Sequence, residues 1–176
     1  MDERVRTFYE LTERRRSVRE FAPRPIEPAV LARLFTTLRR AQSAANRQPW
    51  HFVVMESEGR EALNECLHKE GFRSAPVIIV ACAAPDEAWV RKADGVNYAW
   101  VDVTIAVTEM ITAATAEGLG ACWIAAIDPE RVKEATGIPD GIEVVGLVAM
   151  GYPASELVRV DKPRKPLEEI MHYGRW

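Results

Sequence analysis

The chain has 176 residues, 48% of them apolar and 28% charged, with a formal net charge of −3 and a pI near 5.7. That is the size of one ordinary domain with enough apolar material for a core. The acidic balance argues against a dedicated nucleic-acid binder, which would be strongly basic. The three cysteines, Cys66, Cys82 and Cys122, are not closely spaced, and His51, His68 and His172 stand apart from them. No metal-ligand pattern emerges, and Cys82 and Cys122 read as small core residues inside apolar runs. The charge is uneven: the first forty residues hold ten Arg against six Asp or Glu, an asymmetry that suits an anion site as well as a solvated surface. MDERVRTFYELTERRR has no apolar stretch of the secretory kind, so a reduced, cytoplasmic compartment is expected.

Val5, Phe8, Tyr9 and Leu11 predict an amphipathic helix over residues 3–16, ending near the RRRS run. The Pro-rich connector FAPRPIEP (21–28) follows. Glu27 before Pro28 suits the start of a second helix, about 28–41, with Val30, Leu31, Leu34, Phe35 and Leu38 inward. The small polar stretch 42–49 predicts a loop, WHFVVM (50–55) a strand, and a helix is expected near 58–69. APVIIVACA (75–83) is an unbroken apolar run and predicts a strand covered on both faces.

PDEAWVRKADG reads as a loop into the most apolar segment, 96–117, which is long enough to span a bilayer. Asp102 and Glu109 lie well inside it, and charge at mid-bilayer is costly, so a core or interface helix is the better reading. Gly118 is placed for a left-handed helix cap. ACWIAAI (121–127) predicts a strand. DPERVKEATG (128–137) predicts a helix with Asp128 as N-cap, Pro129 in its first turn and Gly137 past its end. IEVVGLVAMGY (142–152) predicts another buried strand. The tail RKPLEEIMHYGRW is charged and aromatic, and suits packing on the surface or on a second subunit. About four strands and five helices give an α+β or α/β sandwich in one domain over 1–176. No Gly-x-Gly-x-x-Gly follows an early strand, which disfavours a Rossmann fold.

Four clusters are equipped for binding. Arg14, Arg15, Arg16, Ser17 and Arg19 supply many donors, a set suited to a phosphate monoester and equally to a solvated helix end. The small-residue loop Ser43–Trp50 would let backbone approach a flat ligand, with the amides of Asn46 and Gln48 at fixed spacing. It also suits a plain helix-to-strand connection. Around Trp123, the run GLGACWIAA could offer main-chain N–H groups to a ring edge, or serve as a helix cap and core strand. Arg164 and Lys165 form a second basic pair in the tail.

Together these segments resemble the nitroreductase family. RRRSVREF is similar to its R-R-S-x-R-x-F signature and AQSAANRQPWHF to its A-P-S-x-x-N-x-Q-P-W-x-F loop. AEGLGACWIAAI matches its G-L-G-x-x-W-I segment and RKPLEEIMHYGRW its C-terminal K-P-L-E-E-I, in order, from about residue 13 onward. Gln42 departs from the pattern, standing where the family usually has Pro. The resemblance implies an α+β sandwich with a central, mostly antiparallel sheet flanked by helices. It implies a homodimer with FMN in the interface and the tail, about 155–176, on the partner.

Carried over, Arg15, Arg16, Ser17 and Arg19 would serve the FMN phosphate, ribityl chain and pyrimidine edge, with Arg164 and Lys165 at the phosphate. Ser43, Asn46 and Gln48 would arrive from the other subunit. Trp123, Ala125 and Ala126 would lie by the ring, with a backbone N–H toward N5. The implied activity is ping-pong hydride transfer from NADH or NADPH to a small electron-poor acceptor, nitroaromatic or quinone-like, with the chemistry carried by the flavin rather than a catalytic side chain. A flavin-binding module with little turnover, reductive dehalogenation and flavin fragmentation are the alternatives on the same scaffold. No metal, nucleic acid or membrane partner is expected.

Overall fold

The computed structural model describes residues 2–57, 60–157 and 163–176. Helix α1 (Glu3–Arg14) is opened by Asp2, whose carboxyl accepts the Arg4 N–H at 2.8 Å. It buries no residue, and Phe8 and Tyr9 pack edge-on in solvent. It stops at Arg15, whose ψ of 127° turns the chain extended. Helix α2 (Pro28–Arg39) begins with Pro28 at its first position and buries Leu34 and Leu38, as the sequence pattern predicts.

Strands β1 (Trp50–Glu56), β2 (Val77–Ala83), β3 (Gly120–Ile124) and β4 (Glu143–Gly151) form one sheet in the order β1-β2-β4-β3, every neighbouring pair antiparallel. All seven residues of β2 are buried, because each face of the sheet carries its own core. Val77, Ile79, Ala81 and Ala83 pack beneath α2 and α5 (Ala99–Ala116). Ile78, Val80 and Cys82 join the opposite core, which α3 (Glu61–Glu65), α4 (Glu70–Arg73) and α6 (Pro129–Thr136) complete. The period of two in a strand sends alternate residues to the two layers.

The helix expected near 58–69 is instead two short ones, α3 and α4, with residues 58 and 59 outside the described set. Arg60 explains the break. Its side chain is 1% exposed and its guanidinium donates to Arg73 O and Ala75 O, both at 2.8 Å, and to Asn64 Oδ1 at 3.1 Å. The bonds to Arg73 and Ala75 tie the start of α3 to the end of α4 and just beyond it, so 61–75 folds back on itself rather than into one rod, while Arg60 Nη1 is buried with no partner among the described residues. The strand expected over 121–127 ends at Ile124, the last residue paired with β4.

Helix α5 buries Ala99, Asp102, Val103, Ala106, Val107, Met110 and Ala114 on one face, the i, i+3, i+4 spacing of a core helix. Its mean hydropathy of 1.2 would suit a membrane span by length and composition, but the helix packs on α2 and across the sheet. Its other face leaves Trp100 and Val101 exposed, at 48% and 44%. Gly118 (φ 77°) and Gly137 (φ 68°) hold the left-handed positions that close α5 and α6, and Asp128 caps α6 through the N–H groups of Glu130 and Arg131. Helix α7 (Leu167–Ile170) lies in an exposed tail.

Candidate flavin site

After Arg15 the chain runs beside β3 as a short extra edge segment. Ser17 forms a parallel bridge to Ala121, and Val18 N–H donates to Ala121 O at 3.0 Å. Val18 and Phe21 turn inward and are buried, while Arg19 is exposed. Phe21 then bridges to Pro153, and Ala22 N–H donates to Tyr152 O at 2.8 Å.

Two cavities open along this edge and share the wall Pro153–Ser155. One, of about 600 Å³, is lined by Arg14, Arg16, Thr115, Gly118 and Ser155 among others; the other, of about 200 Å³, by Ser17, Arg19, Glu20 and Ser155. Arg15 is half-buried beside them and lines neither. Arg19 Nη1 reaches Ser17 O at 3.3 Å and Arg16 Nε reaches Arg14 O at 3.4 Å, both long local bonds. Among the described residues, Arg15 and Arg19 pair with no carboxylate.

The wall is tied down by Tyr152, whose hydroxyl donates to Glu27 at 2.5 Å. Arg24 donates to the same carboxyl at 2.6 Å and lies 3.8 Å over the Tyr152 ring. The Tyr152 hydroxyl, then Arg24, hold the Glu27 carboxyl down at about 2. Arg14 belongs to the basic cluster read from the sequence, though not to the residues that the resemblance carries over to FMN. Thr115 and the 153–155 wall are not singled out there, because the wall carries no distinctive residue type.

At the far end of β3, Ala125 and Ala126 have left the ladder and are exposed, with Ile127 N–H donating to Ala125 O at 3.0 Å. Trp123 is half-buried over Gly146, where a Cβ would come within 3.0 Å of the indole nitrogen. From Ala121, beside Ser17, to Ala125 is four strand residues, roughly 13 Å. The basic segment and the two alanines therefore mark the two ends of one elongated edge.

The loop Ser43–Gln48 lies elsewhere. It leads into β1, and its Ala44 N–H is held at 3.0 Å by Asp102 of α5. Ser43 Oγ accepts Gln48 N–H at 3.0 Å, and Gln48 Nε2 donates to Asn46 O at 3.1 Å. Ala45, Asn46 and Gln48 have φ of 51°, 54° and 52°, the left-handed region that costs a non-glycine residue energy. Pro49 is buried, and its carbonyl accepts Ala84 N–H at 3.0 Å. The register Trp50↔Ala83 puts the loop at the end of the sheet where β2 finishes. Segment 17–21 lies at the opposite end, beside the start of β3.

Three strand spacings also separate β1 from β3, roughly 14 Å. One chain thus gathers Arg16, Ser17 and Arg19 near the β3 edge and sets Ser43, Asn46 and Gln48 apart from them. Arg164 and Lys165 are exposed in the tail, where Arg164 contacts the neighbouring Pro163 O at 3.4 Å. Among the described residues, no group of three His, Cys, Asp or Glu is placed to hold a metal.

The Nitroreductase family pattern matches residues 12–70 and 64–152. An Archaeoglobus fulgidus protein provisionally named NADH dehydrogenase/NAD(P)H nitroreductase is 32% identical, with 92% of this chain and 94% of that protein covered. Iodotyrosine deiodinase 1 of Pongo abelii is 27% identical over 97% of this chain and 70% of its own length. Among solved structures, a nitroreductase family protein of Clostridium difficile 630 superposes with a TM-score of 0.85 at 28% identity, covering 95% of this chain and 98% of the other. An oxidoreductase described as containing FMN superposes at 0.80 with 24% identity, over 94% and 91%. With an antiparallel sheet between two helical layers and this match across most of its length, the chain belongs to the nitroreductase family and is an oxidoreductase.

Proposed function

We propose that two copies of this chain hold FMN between them and reduce a small electron-poor acceptor with electrons from NADH or NADPH. The observation that carries this reading is the β3 edge, with Ser17 and the exposed Arg19 lining a cavity at one end and exposed backbone at the other. Those donors fit a terminal phosphate. FMN, when bound, supplies the redox chemistry, taking two electrons from the nicotinamide and giving them to a nitroaromatic or quinone-like acceptor that alternates with it in one slot.

The side chains of Arg15, Arg16, Ser17 and Arg19 would serve the phosphate, ribityl chain and pyrimidine edge, with Arg164 and Lys165 of the tail added at the phosphate. Ala125 and Ala126 present main chain to the ring, and Trp123 walls it. Ser43, Asn46 and Gln48 complete the pocket from the partner, toward which α5 turns the exposed Trp100 and Val101 and on which the tail, about 155–176, packs; residues 158–162 of that tail lie outside the described set. Positioning and exclusion of water are the protein's part. The setting is soluble and cytoplasmic. The likeness to a deiodinase supports reductive dehalogenation as the second reading.

Three experiments test the proposal. Apo-protein titrated with FMN, FAD and riboflavin should prefer FMN, and Arg19→Ala should weaken FMN by about 1.5–3 kcal/mol, the worth of a hydrogen bond to a charged group. Riboflavin binding as tightly as FMN would refute the phosphate assignment. For the shared pocket, a subunit with Arg16→Ala and Arg19→Ala is mixed with one carrying Asn46→Ala and Gln48→Ala. If the halves come from different chains, one pocket of the mixed dimer receives both intact parts, and flavin returns to about half the wild-type level. A mixture as empty as its parents overturns the shared pocket. Bleaching of bound flavin by NADH or NADPH, followed by reoxidation with a nitro, quinone or iodophenol acceptor, separates the two substrate classes from a module without turnover.

A further inference from the structure

Gly71 lies inside the single turn α4, without a left-handed φ. Glycine is a poor helix former, so backbone conformation gives no reason for it there. Space does. A Cβ at 71 would sit 2.0 Å from the Arg19 carbonyl oxygen, 3.1 Å from its carbon and 3.2 Å from Glu20 Cγ. A Cβ on Gly120 of β3 would sit 2.6 Å from Val18 Cβ. The stretch Val18–Glu20 is gripped between two bare Cα atoms, one in each neighbouring element. The contact at Gly71 is to main chain, which cannot swing aside as a flexible side chain would.

We propose that Gly71 is a positioning residue for the anion-binding donors. Its missing side chain lets α4 lie directly on the Arg19 backbone, and that seat fixes where Arg19 presents its donors beside Ser17. This rests on the flavin-phosphate reading above. An alanine at 71 must displace the Arg19 main chain by about 1 Å or more to reach ordinary contact. A binding constellation tolerates roughly 0.5 Å.

The test uses full-length apo-protein titrated with FMN and with riboflavin, which lacks the phosphate. Gly71→Ala should raise the FMN dissociation constant about tenfold or more and leave that of riboflavin within about twofold. Because Gly71 acts through Arg19, the double variant Arg19→Ala/Gly71→Ala should bind FMN no more weakly than Arg19→Ala alone. Equal weakening of both ligands, an unchanged FMN constant, or additive losses in the double variant would each overturn the inference. If Arg19→Ala leaves FMN unchanged, the phosphate reading itself has failed and this inference falls with it. Should Gly71→Ala not fold, hydrogen exchange on the wild type decides. FMN, but not riboflavin, should slow the amides of 69–74 together with those of 17–21. Protection confined to 17–21 would refute the coupling.

Discussion

Replacing Asp102 with Ala should loosen the Ser43–Gln48 loop while changing global stability little. Asp102 is 1% exposed in the first turn of α5. One of its carboxyl oxygens accepts Ala44 N–H at 3.0 Å; the other is buried with no partner among the described residues. Truncation therefore acts in two directions. Stranding a buried N–H costs about 1–3 kcal/mol, and removing an unpaired buried oxygen relieves a penalty of the same order. Ala44 is only half-buried, so water recovers part of the first cost, and the net change should stay within about 1 kcal/mol.

The loop has no such offset. Its three left-handed residues store roughly 1–2 kcal/mol each, and without the anchor they can relax. A shift of about 1–3 kcal/mol in local opening makes amide exchange at Asn46, Arg47 and Gln48 about 5- to 150-fold faster. Asp102→Asn, which keeps one acceptor oxygen, should stay near the wild type. Hydrogen exchange with mass spectrometry reads the loop, and thermal unfolding reads the whole. Unchanged exchange at 46–48 in Asp102→Ala would refute the anchoring argument, as would equal loss in Asp102→Asn.

The Glu27 carboxyl is held at about 2 by Tyr152 and Arg24, below its ordinary 4.5. A depressed folded value stabilises above pH 4.5 and is lost as pH falls toward 2, so Glu27→Gln should show a shallower fall of melting temperature across that window, and parallel profiles would refute it. Burial pushes the Cys82 thiol up to about 11, so iodoacetamide at pH 8 should label it only after unfolding; equal labelling of the native protein would count against this. Gly146→Ala sets a Cβ 3.0 Å from Trp123 Nε1 and 3.1 Å from Ile124 O. It should cost about 1–3 kcal/mol by overpacking and shift Trp emission, and a neutral result would mean the indole moves freely.

Local chemistry made much of the fold legible. Pro28, Asp128, Gly118 and Gly137 mark helix ends through effects confined to one turn, and each does what its position predicts. The apolar run of β2 signals burial on both faces, and both cores meet there. The strand order β1-β2-β4-β3 could not be read the same way, since continuous apolar runs do not encode which neighbour they pair with. Around 58–75 the pattern misleads, because a single buried cation, Arg60, redirects the chain by long-range hydrogen bonds. The basic segment and the 43–48 loop could be picked out because their residue types are unusual together. Gly71, Asp102 and the 153–155 wall could not, since their roles depend on what lies against them in space.

The separation of those elements also bears on why this family's pattern would need two chains. Segment 17–21 extends the sheet beside the start of β3, whereas the 43–48 loop is fixed at the opposite end, near β1, by Asp102 and by Pro49. Between them lie the sheet and α2, which is tied to α5 through a bidentate Arg33–Glu117 pair at 2.6 and 2.7 Å and through a shared core. Bringing the loop to its own chain's β3 edge would mean dismantling a doubly covered sheet. On the proposed reading, a second copy would supply the loop instead. The surface it would cover is the outer face of α5, where Trp100 and Val101 face solvent in the single chain. On the proposed reading, the apolar excess of α5 and the division of the pocket have one cause. One side of the helix builds the core, and on the other the exposed Trp100 and Val101, ahead of the exposed Thr104 and Thr108, would meet the neighbour and bring each loop to its β3 edge.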